Sequence, residues 1–170
     1  VVRRTAGVWG APARTTFFDP PKAGDDLGRS VAVTGDIVIA GAPGNDAAGS
    51  GAGAVARFTP DGSGGWHTAA AADILVPGGL LAGDALGTSV AASPAYLVAG
   101  APAADPAGSA SGEAWVFSPG GDVLGALARS DGAANDRFGQ SVAVDGIQIA
   151  VGTPGDDDEG SGSGTAQRYL

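Results

Sequence analysis

Arg137-Phe138-Gly139-Gln140-Ser141-Val142-Ala143-Val144, followed after a short break by Gln148-Ile149-Ala150-Val151-Gly152-Thr153-Pro154, decides the fold, because the chain contains this pattern three times. The first copy reads Asp26-Leu27-Gly28-Arg29-Ser30-Val31-Ala32-Val33, then Ile37-Val38-Ile39-Ala40-Gly41-Ala42-Pro43. The second reads Ala85-Leu86-Gly87-Thr88-Ser89-Val90-Ala91-Ala92, then Tyr96-Leu97-Val98-Ala99-Gly100-Ala101-Pro102. Gln148 is the one polar residue in a column that otherwise holds Ile37 and Tyr96. Gly28 lies as far from Gly87 as Gly41 does from Gly100, and the same holds for Gly87 to Gly139 and Gly100 to Gly152. Self-similarity at a fixed period is the signature of a repeat architecture. The first spacing, 59 residues, exceeds the second, 52, by seven. The surplus is expected outside the repeat core, in the glycine-rich stretch 77–83 and in the turn before Trp66, since loop-closure cost grows slowly with length.

The match runs on downstream. Asp46, Asp105 and Asp157 are equivalent, as are Gly49, Gly108 and Gly160; Ser50, Ser109 and Ser161; Gly53, Gly112 and Gly164; and Phe58, Phe117 and Tyr169. Each unit reads as four short strands. In the first they fall at about 30–33, 37–40, 54–58 and 66–74, and the fourth strand of the second unit at about 123–129. Thr34-Gly35-Asp36 and Asp145-Gly146 are hairpin-length connections between the first two strands. Those two strands are small and apolar on both faces, as expected where sheet packs on sheet near a central axis. The units span about 26–74, 85–129 and 137–170, preceded by an outer strand at about 7–18. The fold expected is all-β: three four-stranded propeller blades, forming a partial propeller or part of a larger or oligomeric ring.

Composition agrees. The chain has 170 residues with 31 glycines and 11 prolines, yet 44% are apolar and only 16% charged. That is a turn-rich folded domain and not a disordered segment. The net charge of −9 argues against a nucleic-acid partner, which needs clustered Lys and Arg. No cysteine is present, so there is neither a disulfide framework nor thiolate chemistry. No apolar run is long enough to span a membrane.

Phe138-Gly139 with Gly152-Thr153-Pro154, and the Leu-Gly and Gly-Ala-Pro versions in the other units, resemble FG-GAP repeats, the blades of integrin α-subunit propellers. The bacterial variety is the nearer resemblance, through the run from Ser130 to Ala143 and the later loop Gly155-Asp156-Asp157-Asp158-Glu159-Gly160-Ser161. The resemblance covers nearly the whole chain from Gly7 on. It implies that Gly28, Gly41, Pro43, Asp46, Gly87, Gly100, Pro102, Asp105, Phe138, Gly139, Gly152, Pro154 and Asp157 serve the repeat structurally. It also implies adhesion or protein binding through loops on one face, at an extracellular or cell-surface location, with no catalytic activity.

Integrin-type blades often carry a long acidic calcium loop between strands one and two. Here those connections, 34–36, 93–95 and 145–146, are too short to supply the six to eight oxygens that calcium takes. A different acidic run, Asp156, Asp157, Asp158 and Glu159, offers four adjacent carboxylates. It reads either as a solvated loop or as a calcium site; no cofactor is otherwise required. The recurring Asp46, Asp105 and Asp157 are expected to cap their own loops in Asx-type turns, with Ser50, Ser109 and Ser161 in the same local role.

Ser30, Ser89 and Ser141 stand in Gly-x-Ser, but Ala32, Ala91 and Ala143 replace the second glycine of a nucleophile elbow, so they read as structural serines. His67, the one histidine, has no clustered partner for metal or acid–base work. Trp9, Trp66 and Trp115 fit core packing between blades, or a sugar-stacking surface. The units start and stop out of phase with a closed ring. Three arrangements account for that: an excerpt of a longer propeller, a subunit covered by a partner, or two copies joined head to tail into a six-bladed ring, with residues 7–18 completing the other copy's last blade. The partner expected is another protein or subunit.

Overall fold

Alternating apolar residues with glycine-bearing two-residue breaks fold into antiparallel hairpins, because each turn lets neighbouring strands pair at once. The computed structural model describes residues 22–60 and 73–170, together with the strand residues 4–5 and 8–9. Thirteen strands follow one another: β1 (Arg4–Thr5), β2 (Val8–Trp9), β3 (Val31–Thr34), β4 (Ile37–Ala42), β5 (Ala54–Phe58), β6 (Ile74–Leu75), β7 (Ser89–Ala92), β8 (Leu97–Ala101), β9 (Glu113–Phe117), β10 (Val123–Leu127), β11 (Ser141–Asp145), β12 (Gln148–Thr153) and β13 (Thr165–Tyr169). Among the described residues there is no α-helix.

Three antiparallel sheets form in chain order: β3-β4-β5-β6, β7-β8-β9-β10 and β11-β12-β13, with β1-β2 as a separate pair. Registers repeat from blade to blade. Ala40 faces Val31 and Ala56, Ala99 faces Val90 and Trp115, and Val151 faces Val142 and Gln167. The first strands β3, β7 and β11 are spatial neighbours, so the sheets converge along their inner edges like propeller blades. The first hairpin turns on Gly35-Asp36, with Gly35 at φ 51°. In the third blade Asp145 still belongs to the strand, opposite Gln148, and the turn is Gly146-Ile147.

The core lies between the sheets, which explains strands that are apolar on both faces. In β8, Leu97 and Ala99 pack with Ile39, Val55 and Leu75 of the first blade, while Val98 packs with Phe138, Ile149 and Val151 of the third. Successive side chains point to opposite faces. The central blade therefore offers one set to each neighbour. Ile149 and Val151 meet the second blade and are buried, whereas Gln148 and Ala150 face the other way and are exposed. Phe138 meets Tyr169 edge to face, with ring centroids 6.2 Å apart.

The register also locates the seven-residue surplus. Leu75 pairs with Val55 and Leu127 with Ala114, so Leu75 and Leu127 are equivalent. Leu75 is as far from Gly87 as Leu127 is from Gly139. The surplus therefore lies wholly in the β5–β6 hairpin, and none of it in 77–83. A hairpin tip accepts it because the linker must hold a fixed distance to the next blade while the tip need not. The fourth strand expected at about 66–74, and the turn before it, lie mostly outside the described residues; Ile74 is its described part. Of the outer strand expected at about 7–18, Val8–Trp9 is described, and it pairs with Arg4–Thr5.

Candidate functional site: the stacked loops at one end of the blades

Each blade sends a long loop from its second to its third strand, and each interblade linker crosses the loop of the blade before it. The chain builds this corner from a column that sequence reading passed over: Asp25, Asp84 and Asp136, one residue ahead of the units as read, all buried. A carboxylate oxygen of each accepts the backbone N–H three residues back, from Lys22 at 3.2 Å, Leu81 at 2.7 Å and Ala133 at 2.8 Å. The carbonyls of the same residues accept N–H groups from the blade loop, Gly44 at 3.2 Å, Ala103 at 3.3 Å and Gly155 at 3.0 Å. The signal was present, since these three aspartates recur at the same two spacings as the glycines.

The corners interlock between blades. Gly83, Ala85 and Leu86 donate N–H bonds to the carbonyls of Ser50, Gly51 and Ala52, and Asn135, Arg137 and Phe138 do the same to Ser109, Ala110 and Ser111. The Ser30 hydroxyl donates to the Gly87 carbonyl, and that of Ser89 to the Gly139 carbonyl, each at 2.8 Å. Backbones lie so close that a Cβ on Gly41 or Gly100 would stand 1.9 or 1.8 Å from those same carbonyl oxygens. Ser30 and Ser89 thus donate their hydroxyls to bonds between blades. Ser50 and Ser109 contribute backbone carbonyls, with their side chains outward, in place of the local capping expected of them.

Within each loop, Asp46 accepts from Gly51 N–H at 2.9 Å and Asp105 from Ala110 N–H at 2.7 Å; Asp157 accepts from Gly162 N–H. These bonds span the loop, five residues on. The Asx-type turns belong to the preceding column, where Asn45 accepts from Ala47 N–H and Asp156 from Asp158 N–H, both at 3.0 Å.

The acidic run 156–159 is divided among different partners. Arg129, whose side chain is 3% exposed, points into the third loop. It pairs with buried Asp156, with Asp158 at 2.8 Å and with Asp131 at 2.9 Å. The bond to Asp131 is the main cause holding the guanidinium above its ordinary value, and Arg129 in turn holds Asp131 below the usual carboxylate range. Glu159 is exposed. Among the described residues no group of three or more His, Cys, Asp or Glu side chains is placed to share one ion. Burial raises Asp84, partly offset by the Leu81 N–H, and Asp105 adds to the rise. Burial also raises Glu113, which accepts the Trp115 indole N–H at 2.6 Å and lies near Asp84.

The loop tips stand in solvent: Ala47 and Ala48, Pro106 and Ala107, Asp158 and Glu159. The linkers lie beside them, with Ala82 next to Gly49 and Ala134 next to Gly108. Chemically this is a continuous shelf of small apolar tips ending in an acidic loop. Trp66 and His67 lie outside the described residues. Trp115 is half-buried in β9 against the interblade core. No described helix is long and apolar enough to cross a membrane, which says nothing of strands.

A family model for the FG-GAP repeat matches residues 21–55, 72–117 and 125–169. Each match takes in the Asp25, Asp84 or Asp136 corner. No curated protein matches the chain.

Proposed function

Because this chain belongs to the FG-GAP repeat family, we propose that it is a non-catalytic protein-interaction or adhesion module, extracellular or surface-exposed, that binds another protein on the shelf of stacked loops. The observation that carries this reading is the construction of the shelf. Three loops are held in register by repeated backbone and aspartate bonds, while their tips at Ala47, Ala107 and Asp158 remain exposed. A rigid surface with small apolar tips binds without a large ordering cost. Calcium at Asp156, Asp157, Asp158 and Glu159 belongs to the same proposal as an optional ligand, in competition with Arg129 for two of the carboxylates.

Site-specific photocrosslinking on cells or matrix of the source organism tests the reading. A crosslinking residue at position 47 or 107 should capture one protein, and the same residue at position 36 or 146, in the hairpin turns, should capture none. Equal capture from both ends, or capture from neither, overturns it.

A second reading, a structural subunit of a larger assembly, is favoured by one observation. Val31 and Val33 on the first blade are 68% and 66% exposed.

A further inference from the structure

We infer that the corner where the second linker crosses the second loop is a proton-operated latch: Asp84 and Glu113 meet there with no described cation bonded to either, seat the loop while they hold protons, and loosen it as they ionise. The fold brings the two together from different elements. Glu113 opens β9 opposite Ala101, on the face that Trp115 and Phe117 turn toward the first blade. Asp84 is buried in the linker between those blades, and its carbonyl accepts the N–H of Ala103, two residues past the strand partner of Glu113. Asp105 follows two residues further, at the foot of the loop tip.

The other two corners are built differently. In the first, the Asn45 amide donates to Asp25 at 3.3 Å, and the counterpart of Asn45 in the second is Ala104, which has nothing to donate. In the third, Arg129 bonds to the loop carboxylates, and its counterpart in the second is Pro77. The column of Glu113 holds Ala54 and Thr165 in the other blades. The second corner therefore has one carboxylate more and one donor fewer. Among the described residues, the charged groups on the elements packed round it are otherwise committed or bond to neither acid. Asp46 on the first loop accepts the Gly51 N–H, and Arg57 on β5 pairs with Asp73. On the third linker Arg129 is held by Asp131, Asp156 and Asp158, Asp136 accepts the Ala133 N–H, and Arg137 is exposed.

One N–H, from Leu81, offsets the burial of Asp84, and the Trp115 indole N–H offsets that of Glu113. Burial nevertheless raises both, and a neighbouring acid adds to each rise, Asp105 to Asp84 and Asp84 to Glu113. A group raised in the folded state gives its stabilisation in full below the ordinary carboxylate range and loses it as pH rises through the raised value. Beyond that point two like charges share a corner that supplies no counter-ion, and parting the linker from the loop relieves them by admitting water. The inference deepens the loop-shelf reading and rests on it for its consequence: the middle loop holds Pro106 and Ala107 in fixed position in acid and less firmly above it.

Amide hydrogen exchange of the full chain tests it, because local opening is read amide by amide. The blades supply their own controls. Ala103 and Gly112, in the second corner and loop, correspond to Gly44 and Gly53 in the first and to Gly155 and Gly164 in the third, and all six amides donate to equivalent carbonyls. Protection is measured at several pH values from the ordinary carboxylate range upward, each corrected for the intrinsic exchange rate. The expected result is that Ala103 and Gly112 lose protection as pH rises while their four counterparts keep theirs. Glu113→Gln, whose amide oxygen still accepts the Trp115 indole N–H without a charge, should abolish most of that selective loss. Six amides that change in step overturn the inference, and so does a selective loss that Glu113→Gln leaves intact. Should Glu113→Gln fail to fold, Asp84→Asn is read in the same way. No partner is needed for this measurement. A second loop indifferent to pH therefore sinks the latch and leaves the shelf standing, whereas a failed crosslink from positions 47 and 107 sinks the shelf and leaves the latch.

Discussion

Gly100 shows how a single hydrogen atom decides whether two blades can meet. Its Cα hydrogen points at the Gly139 carbonyl, and a methyl there would sit 1.8 Å from the oxygen. The obstacle is backbone and cannot rotate away. Gly100→Ala is therefore expected to cost roughly 3 kcal/mol or more, at or beyond the upper end of ordinary overpacking, and chemical denaturation read by tryptophan fluorescence would measure it. Ser89→Ala, which loses only the hydroxyl bond to the same carbonyl, should cost about 1 kcal/mol.

Asp84 supports a second prediction at this scale. Burial makes the folded chain hold this proton more tightly than the unfolded chain does. Its contribution is thus fully present below the ordinary carboxylate range and is lost as pH rises through the raised value. Glu113 has the same sign. Asp84→Asn should flatten, without abolishing, that loss as pH rises above the ordinary carboxylate range, because the amide oxygen still accepts the Leu81 N–H and carries no charge. Asp84→Ala should lower the melting temperature across the range. Thermal melts of the three proteins at several pH values check both outcomes.

Among the elements, the third loop differs from its two counterparts by one ion pair. Arg129 and Asp156 occupy the positions held by Pro77 and Ala104 in the second blade, and all four residues are buried. Removing one member of a buried pair leaves an uncompensated charge, so Arg129→Ala is expected to cost about 3–5 kcal/mol. Arg129→Pro with Asp156→Ala, which installs the second blade's own pair, should recover most of the loss. A double-mutant cycle measured by denaturation would show the coupling. Since the guanidinium already engages Asp156 and Asp158, chelation should leave the melting temperature unchanged. A rise on adding calcium that is lost when Asp157 and Glu159 are substituted would instead place an ion in that loop. Thr153 is another departure: its buried hydroxyl has no partner among the described residues, in a column otherwise filled by Ala42 and Ala101.

For the molecule as a whole, the recurrence at 59 and 52 residues was enough to read three blades, their strand order and the hairpins that join them. Local chemistry carries that information: alternating apolar residues, glycine at the turns, and the same spacing each time. The Asp25, Asp84 and Asp136 column was legible by the same rule, but an aspartate in a glycine-rich linker resembles any solvated turn residue until its burial is seen. Three things could come only from the tertiary structure. It decided that Ser30 and Ser89 join blades, that Arg129 reaches into the acidic loop, and that Gln148 and Ala150 look away from the core while Ile149 and Val151 look into it. The physical reason is that a repeat writes its internal contacts into its own period. Which face of a blade is covered depends on the neighbour, and the neighbour is set by packing in space.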